Sequence, residues 1–205
     1  MDIPNKRPLG RPIQQQDSIS TSDQILHSAS VLFMEKGFEN VSMNQVADHS
    51  GVTKATVYYY FPTKTDLFVA SIVGVLTRVN ERIEHILQGP GSFQERLLKI
   101  SVNYLKVPQI HMDDMFGKIK QHLSEEQQNQ LIHQEDALYQ TLCKGFEEAA
   151  RQQEIVCSDP NLAAHIYVSM LRIGERQYTG RTKLFETTEE AAESIISFLW
   201  RGIHN

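Results

Sequence analysis

The stretch from residue 42 to residue 67, SMNQVADHSGVTKATVYYYFPTKTDL, constrains the fold more than any other. It holds two short helical patterns, Met43 to His49 and Thr53 to Tyr59, with Ser42 placed to cap the first. Ser50-Gly51-Val52 interrupts them and Pro62 closes the second, since proline lacks the N–H that would continue a helix. Helices of fewer than ~12 residues are marginal in water alone. Two such pieces persist only by packing on each other and on a third element. Gly51 permits the turn conformation that a Cβ would oppose. Val46, Ala47, Val52 and Val57 supply small apolar contacts, and Ala47 lets the backbones approach. The spacing predicts a helix-turn-helix over Ser42 to Tyr60.

The rest of the chain also reads as helix. Ile25, Leu26, Ala29, Leu32 and Phe33 recur at helical spacing, with Thr21 and Gln24 as a capping box and Gly37 as the stop. A long helix is expected from Lys64 to Leu87, closed by Gly89-Pro90-Gly91. Further helices are expected near 92–107, 109–122, 125–154, 160–178 and 188–202. Ser92 with Glu95, Ser124 with Gln127, Thr187 with Glu190, and Asp159-Pro160 mark four of their starts. Strand signals are essentially absent. The loop Thr179 to Glu186 is the least defined connection. Residues 1–20 show no period and carry Pro4, Pro8, Gly10 and Pro12, which indicates a flexible arm. The expected organisation is all-α: a basic arm over 1–20, then helices over 21–68 and 69–205.

Charge bears on partners. The formal net charge is −5, which taken alone disfavours nucleic acid. Its distribution matters more. Residues 76–205 hold 14 Lys+Arg against 18 Asp+Glu, so most of the acidic excess lies away from residues 42–67. Lys6, Arg7 and Arg11 make the arm locally basic. No apolar run approaches the ~20 residues of a membrane span, and no apolar stretch follows the basic start as in a signal peptide. Cys143 and Cys157, if on one continuous helix, would stand about 21 Å apart at ~1.5 Å per residue, too far for a disulfide. A reducing cytoplasm fits that usage.

On the second short helix, Thr53, Lys54, Thr56, Tyr58 and Tyr59 present groups that bond phosphate, while Ala55 and threonine methyls suit a thymine methyl. Ser42, Thr63 and Lys64 stand at helix N-termini, where the dipole favours an anion. Of the run Tyr58 to Phe61, Tyr60 and Phe61 are expected in the core and Tyr58 and Tyr59 at the surface, since four consecutive residues nearly circle a helix. Ordinary capping by Ser42, and ordinary solvated lysines at 54 and 64, are the plainer alternatives.

Residues 51–64, together with Ile25-Leu26, Leu32-Phe33, Gly37-Phe38, Ser42-Met43 and Val46-Ala47, resemble the signature of the tetracycline-repressor (TetR) family. The resemblance is close over residues 22–70 and only architectural from about residue 76. It implies an all-helical homodimer on double-stranded operator DNA, each subunit with a three-helix helix-turn-helix DNA-binding domain over 21–68 and a helical ligand-binding and dimerisation domain over 69–205, with Thr53, Lys54, Ala55 and Thr56 facing the major groove. Tyr58, Tyr59, Lys64 and Ser42 would hold phosphates. Many members carry histidine where this chain has Tyr59 and glycine where it has Ala55, which leaves base preference open. In the arm, the Gly-Arg-Pro of residues 10–12 looks like the core of an AT-hook. Arg11, with Arg7 nearby, would then enter the minor groove; a basic tail without groove preference is the alternative.

An effector pocket would draw on Tyr104, His111, Met115, Phe116, Phe146, Tyr167, Met170, Glu175 and Tyr178, any of which is otherwise core. Tyr167, Met170, Leu171 and Tyr178 are alternatively interface residues. By resemblance that interface pairs the last two long helices of each subunit, supported by Ile195, Ile196, Phe198, Leu199 and Trp200. His111, His122 and His133 recur every eleven residues, unlike the three- or four-residue spacing of a helical ligand pair, so no metal is expected. No nucleophile motif, phosphate loop or zinc pattern appears, and no catalysis or cofactor is expected. The expected function is a repressor that a small apolar or amphipathic ligand releases from a palindromic operator. Control by a partner protein, or activation, are the alternatives.

Overall fold

A computed structural model describes residues 20–106, 119–175 and 184–203. Among them are eight α-helices: α1 Thr21–Lys36, α2 Met43–Ser50, α3 Lys54–Tyr60, α4 Lys64–Leu87, α5 Phe93–Lys106, α6 Glu125–Arg151, α7 Pro160–Glu175 and α8 Thr188–Ile203. A 3-10 turn, Lys120–His122, precedes α6. The described residues contain no strand.

Helix starts follow capping chemistry. Ser92 with Glu95 and Ser124 with Gln127 form the expected reciprocal bonds. At α8, Thr187 Oγ1 accepts from the Glu190 N–H (3.1 Å), but the Glu190 carboxylate takes the Glu186 N–H (2.8 Å). At α1 the cap is Ser20, not Thr21. Ser20 is the last residue with extended backbone, and its Oγ accepts from the Asp23 N–H (3.1 Å). Gln24 is thereby free to donate to the Ser50 carbonyl (2.9 Å), tying α1 to the end of α2. Of the helix expected at 109–122, only its last residues are described, and 120–122 is 3-10.

Apolar side chains form two clusters. The first packs Ile25, Leu32 and Phe33 of α1, Val46 of α2, Val57 of α3 and Leu67, Phe68 and Ile72 of α4. Phe33, Phe38 and Phe68 meet through ring contacts 5.1 to 5.9 Å between centroids. Ile119, Leu123 and Leu131, from far along the chain, complete this cluster. The second cluster joins α5, α6, α7 and α8 around Leu97, Phe146, Tyr167, Leu171 and Ile196, with Ile83 and Ile86 from the far end of α4. The boundary expected at 68/69 therefore falls inside α4, which contributes to both clusters.

The cysteine geometry differs from the expectation. Helix α6 ends at Arg151, and Gln153 adopts a positive φ of 61° before the chain joins α7. The single-helix separation of Cys143 and Cys157 does not apply. Both are free and partly buried against the second cluster. Burial, as the leading cause, pushes both thiols above their ordinary range. No helix among the described residues is long and apolar enough to cross a membrane.

Candidate nucleic-acid interface

The turn between α2 and α3 depends on Gly51, which sits at φ 69°, ψ 23° in the left-handed region. The Val52 N–H reaches back to the Ala47 carbonyl (3.1 Å), satisfying the end of α2. Val46, Ala47 and Val57 are buried between the helices, and Val52 packs against them. Val57 is the one buried residue of α3. Almost the whole circumference of α3 is thus left to solvent.

That surface carries Thr53, Lys54, Ala55, Tyr58 and Tyr59, all exposed, with Thr56 half-buried. Thr53 is the N-cap: its Oγ1 accepts from the Thr56 N–H (3.1 Å) and lies 2.8 Å from Thr56 Oγ1. Lys54 Nζ stands 5.8 Å from the centre of the Tyr58 ring one turn on. Tyr59 is 82% exposed and meets Tyr60 edge-on at 5.2 Å. Tyr60 itself is 41% exposed, so it is not the core residue expected. Only Phe61 turns inward, because it follows the last helical residue and takes an extended conformation at φ −134°.

Two helix N-termini flank this surface. Ser42 caps α2 in a full capping box with Gln45, its N–H donating to Gln45 Oε1 (2.8 Å). Thr63 caps α4 in a second box with Asp66, whose Oδ2 accepts from the Thr63 N–H (3.2 Å). Lys64 follows directly. Its Nζ rests 4.3 Å from the Phe38 ring centre and donates to the Glu39 carbonyl (3.3 Å). Partial burial lowers the Lys64 ammonium from its ordinary range, and the Glu39 carboxylate opposes that shift. Between residues 42 and 64 the fixed charges are Lys54, Lys64 and Asp48, so this end is mildly positive within an acidic chain.

The chain brings Ser42, Thr53, Lys54, Ala55, Thr56, Tyr58, Tyr59 and Lys64 onto α2, α3, the start of α4 and their caps. Arg7 and Arg11 lie outside the described residues. Sequence reasoning missed Thr63–Asp66 as a capping box, because aspartate stands where the usual pattern has glutamate or glutamine. It also missed the support of Lys64 by Phe38 and Glu39, which are distant in sequence.

Four of the expected effector residues belong to the second cluster. Phe146 and Tyr167 are fully buried, 6.2 Å between ring centres. The Tyr167 hydroxyl donates to the Leu97 carbonyl (3.0 Å) and lies 2.9 Å from Ser101 Oγ. Tyr104 and Met170 are partly buried at the edge of the same cluster. Glu175 ends α7, while His111, Met115, Phe116 and Tyr178 lie outside the described residues. Of the other histidines, His122 stacks on Phe38 and His133 is exposed on α6. Among the described residues no three His, Cys, Asp or Glu side chains group as metal ligands would. Tyr167, Leu171, Ile195, Ile196 and Leu199 are buried in the chain's own core, whereas Leu162, Ile166, Ile173 and Phe198 are exposed.

Residues 25–71 match the model of the bacterial regulatory proteins of the tetR family. The HTH-type transcriptional regulator SAB2452 of Staphylococcus aureus (strain bovine RF122 / ET3-1) is 32% identical over 128 residues, 62% of this chain and 66% of that protein. The uncharacterized HTH-type regulator YezE of Bacillus subtilis (strain 168) is 32% identical over 88 residues, 42% of this chain and 45% of that protein. The chain thus spans about half to two thirds of the length of these relatives. The crystal structure of the regulator FadR from Bacillus subtilis in complex with stearoyl-CoA superposes with a TM-score of 0.67 at 18% identity, covering 88% of this chain and 98% of that one.

Proposed function

We propose that the chain, whose residues 25–71 match the model of the tetR family of bacterial regulatory proteins, represses transcription as a homodimer on a palindromic operator. The observation that carries this reading is the exposure of Thr53, Lys54, Ala55, Tyr58 and Tyr59 on a helix anchored by the single buried Val57. A helix held by one face and polar on the others suits entry into a major groove about 12 Å wide. Lys54, Thr53 and Thr56 are the proposed reading groups with Ala55 against a thymine methyl; Tyr58, Tyr59, Ser42 and Lys64 hold phosphates. Arg7 and Arg11 reach the adjacent minor groove. Dimerisation uses the exposed apolar faces of α7 and α8, where Leu162 is 55% and Phe198 75% exposed. A small apolar or amphipathic ligand, bound among α4 to α8 near Tyr104 and Met170, releases the DNA by favouring a different spacing of the two reading helices. The fold's capacity for such a ligand is supported by the stearoyl-CoA complex of FadR.

One binding experiment tests the DNA reading. The wild-type chain is used to enrich duplexes from a random library, and the winner is titrated at several salt concentrations. The wild type is expected to select a palindrome. Lys54→Ala with Tyr58→Phe is expected to bind it at least ten-fold more weakly while folding normally, since each lost phosphate or base contact removes about 1 kcal/mol or more. Deleting residues 1–12 is expected to lower both affinity and salt slope. A double variant that binds like the wild type sinks the reading face, and an unchanged salt slope sinks the arm.

A further inference from the structure

Two helix caps from distant parts of the chain are joined through one side chain. Gln127 is the third residue of α6. Its N–H donates to Ser124 Oγ (3.2 Å) and its Oε1 accepts from the Ser124 N–H (3.0 Å), which completes that helix's capping box. Its Nε2 then donates to Asp66 Oδ1 (2.8 Å), 61 residues away. Asp66 is the third residue of α4, and its other oxygen, Oδ2, accepts from the N–H (3.2 Å) and Oγ1 (2.6 Å) of Thr63. The carboxamide thus closes one box with its oxygen and grips the other with its nitrogen. Both side chains are half-buried. A hydrogen bond to a carboxylate is roughly twice as strong as one between neutral groups.

The surrounding corner reinforces this link. His122 stacks on Phe38 (6.3 Å, 26° between planes), and its Nε2 lies 3.7 Å from Glu39 Oε1. Ile119, Leu123 and Leu131 are buried in the first cluster. Residues 119–131 therefore hold the α1–α2 connection and the start of α4 together. The Gln127–Asp66 bond is redundant for capping, because each helix already has a complete box of its own. What it adds is the placement of one helix start relative to the other.

Resting on the reading of Ser42 to Lys64 as the DNA interface, we propose that Gln127 is a positioning residue for operator binding. Through Asp66 it fixes the first turn of α4, and with it the direction in which Thr63 and Lys64 meet phosphate. Without the bond, the α4 start samples more orientations. Apparent affinity falls with the fraction of time spent in the competent one.

Three full-length variants test this on the duplex enriched by the wild type. Gln127→Ala removes the bond. Gln127→Glu preserves the α6 box, since glutamate serves at that position, but sets two carboxylates face to face. Gln127→Glu with Asp66→Asn reverses donor and acceptor at unchanged net charge. Each single substitution is expected to weaken operator binding about ten-fold, and the exchange to return it to within about two-fold of wild type. Melting temperatures are recorded beside the affinities. Gln127→Ala binding as tightly as wild type or tighter overturns the proposal, even if its melting temperature falls, because the bond is then only a staple. Failure of the exchange to restore binding also overturns it, because a hydrogen bond between these two positions is then not what operator binding requires. If the wild type enriches no duplex, the DNA reading itself fails, which is a separate outcome.

Discussion

At the residue scale, Tyr167 shows how a polar group enters an apolar core. Its ring is fully buried, and its hydroxyl is satisfied by the Leu97 carbonyl and Ser101. Burial raises the phenol above its ordinary range, while the Ser101 bond partly opposes that shift. Above the free value of about 10 the unfolded chain loses this proton and the folded chain retains it, so stability falls as pH climbs. Tyr167→Phe removes that alkaline loss and leaves Ser101 with one partner fewer. We expect it to cost about 1 kcal/mol at neutral pH, with a shallower decline above pH ~10 in denaturant titrations. Equal alkaline declines in both proteins would assign the effect to other groups.

At the element scale, α3 depends on little. Seven residues cannot persist as an isolated helix, and Val57 is its only buried side chain. Val57→Ala is expected to cost about 2 kcal/mol through lost burial and the cavity left behind. Hydrogen exchange is expected to quicken first in residues 54–60, and unaltered protection there refutes the anchoring role. The sequence made this element legible because Gly51, Pro62 and the valines are local signals. It misplaced Tyr60, because helical periodicity says little about a final turn where the chain leaves the axis and Phe61 takes the inward position. It missed the Asp66–Gln127 link for a different reason. Gln127 reads as the ordinary box residue of its own helix, Asp66 does not read as one at all, and only folding brings the two together.

At the scale of the molecule, the exposed apolar side chains of α7 and α8 form the proposed pairing face. Phe198 at 75% exposure is the largest. Phe198→Glu places a charge at the centre of the proposed pairing face, which the subunit alone tolerates because that position is already in water. We expect a folded monomer by sedimentation, with operator binding reduced more than a hundred-fold, since two half-sites are no longer linked. A dimer of wild-type stability would move the interface elsewhere. The all-α class was legible at this scale, because capping signals and apolar period agree along the chain. The inner and outer faces of α7 and α8 were not, since Ile195, Ile196 and Phe198 are alike as apolar residues and only packing separates them.

The first apolar cluster contains Ile119, Leu123 and Leu131 beside residues of α1 to α4. The proposed DNA-facing end therefore shares its core with side chains from beyond the family match, which stops at residue 71. Cutting the chain after α4 would bare the surface those three side chains cover. Grafting this end onto another regulator would leave the same hole unless the recipient supplies equivalent side chains. The unit of exchange in recombination or engineering is thus discontinuous: a head from the first third of the chain and a plug from its middle.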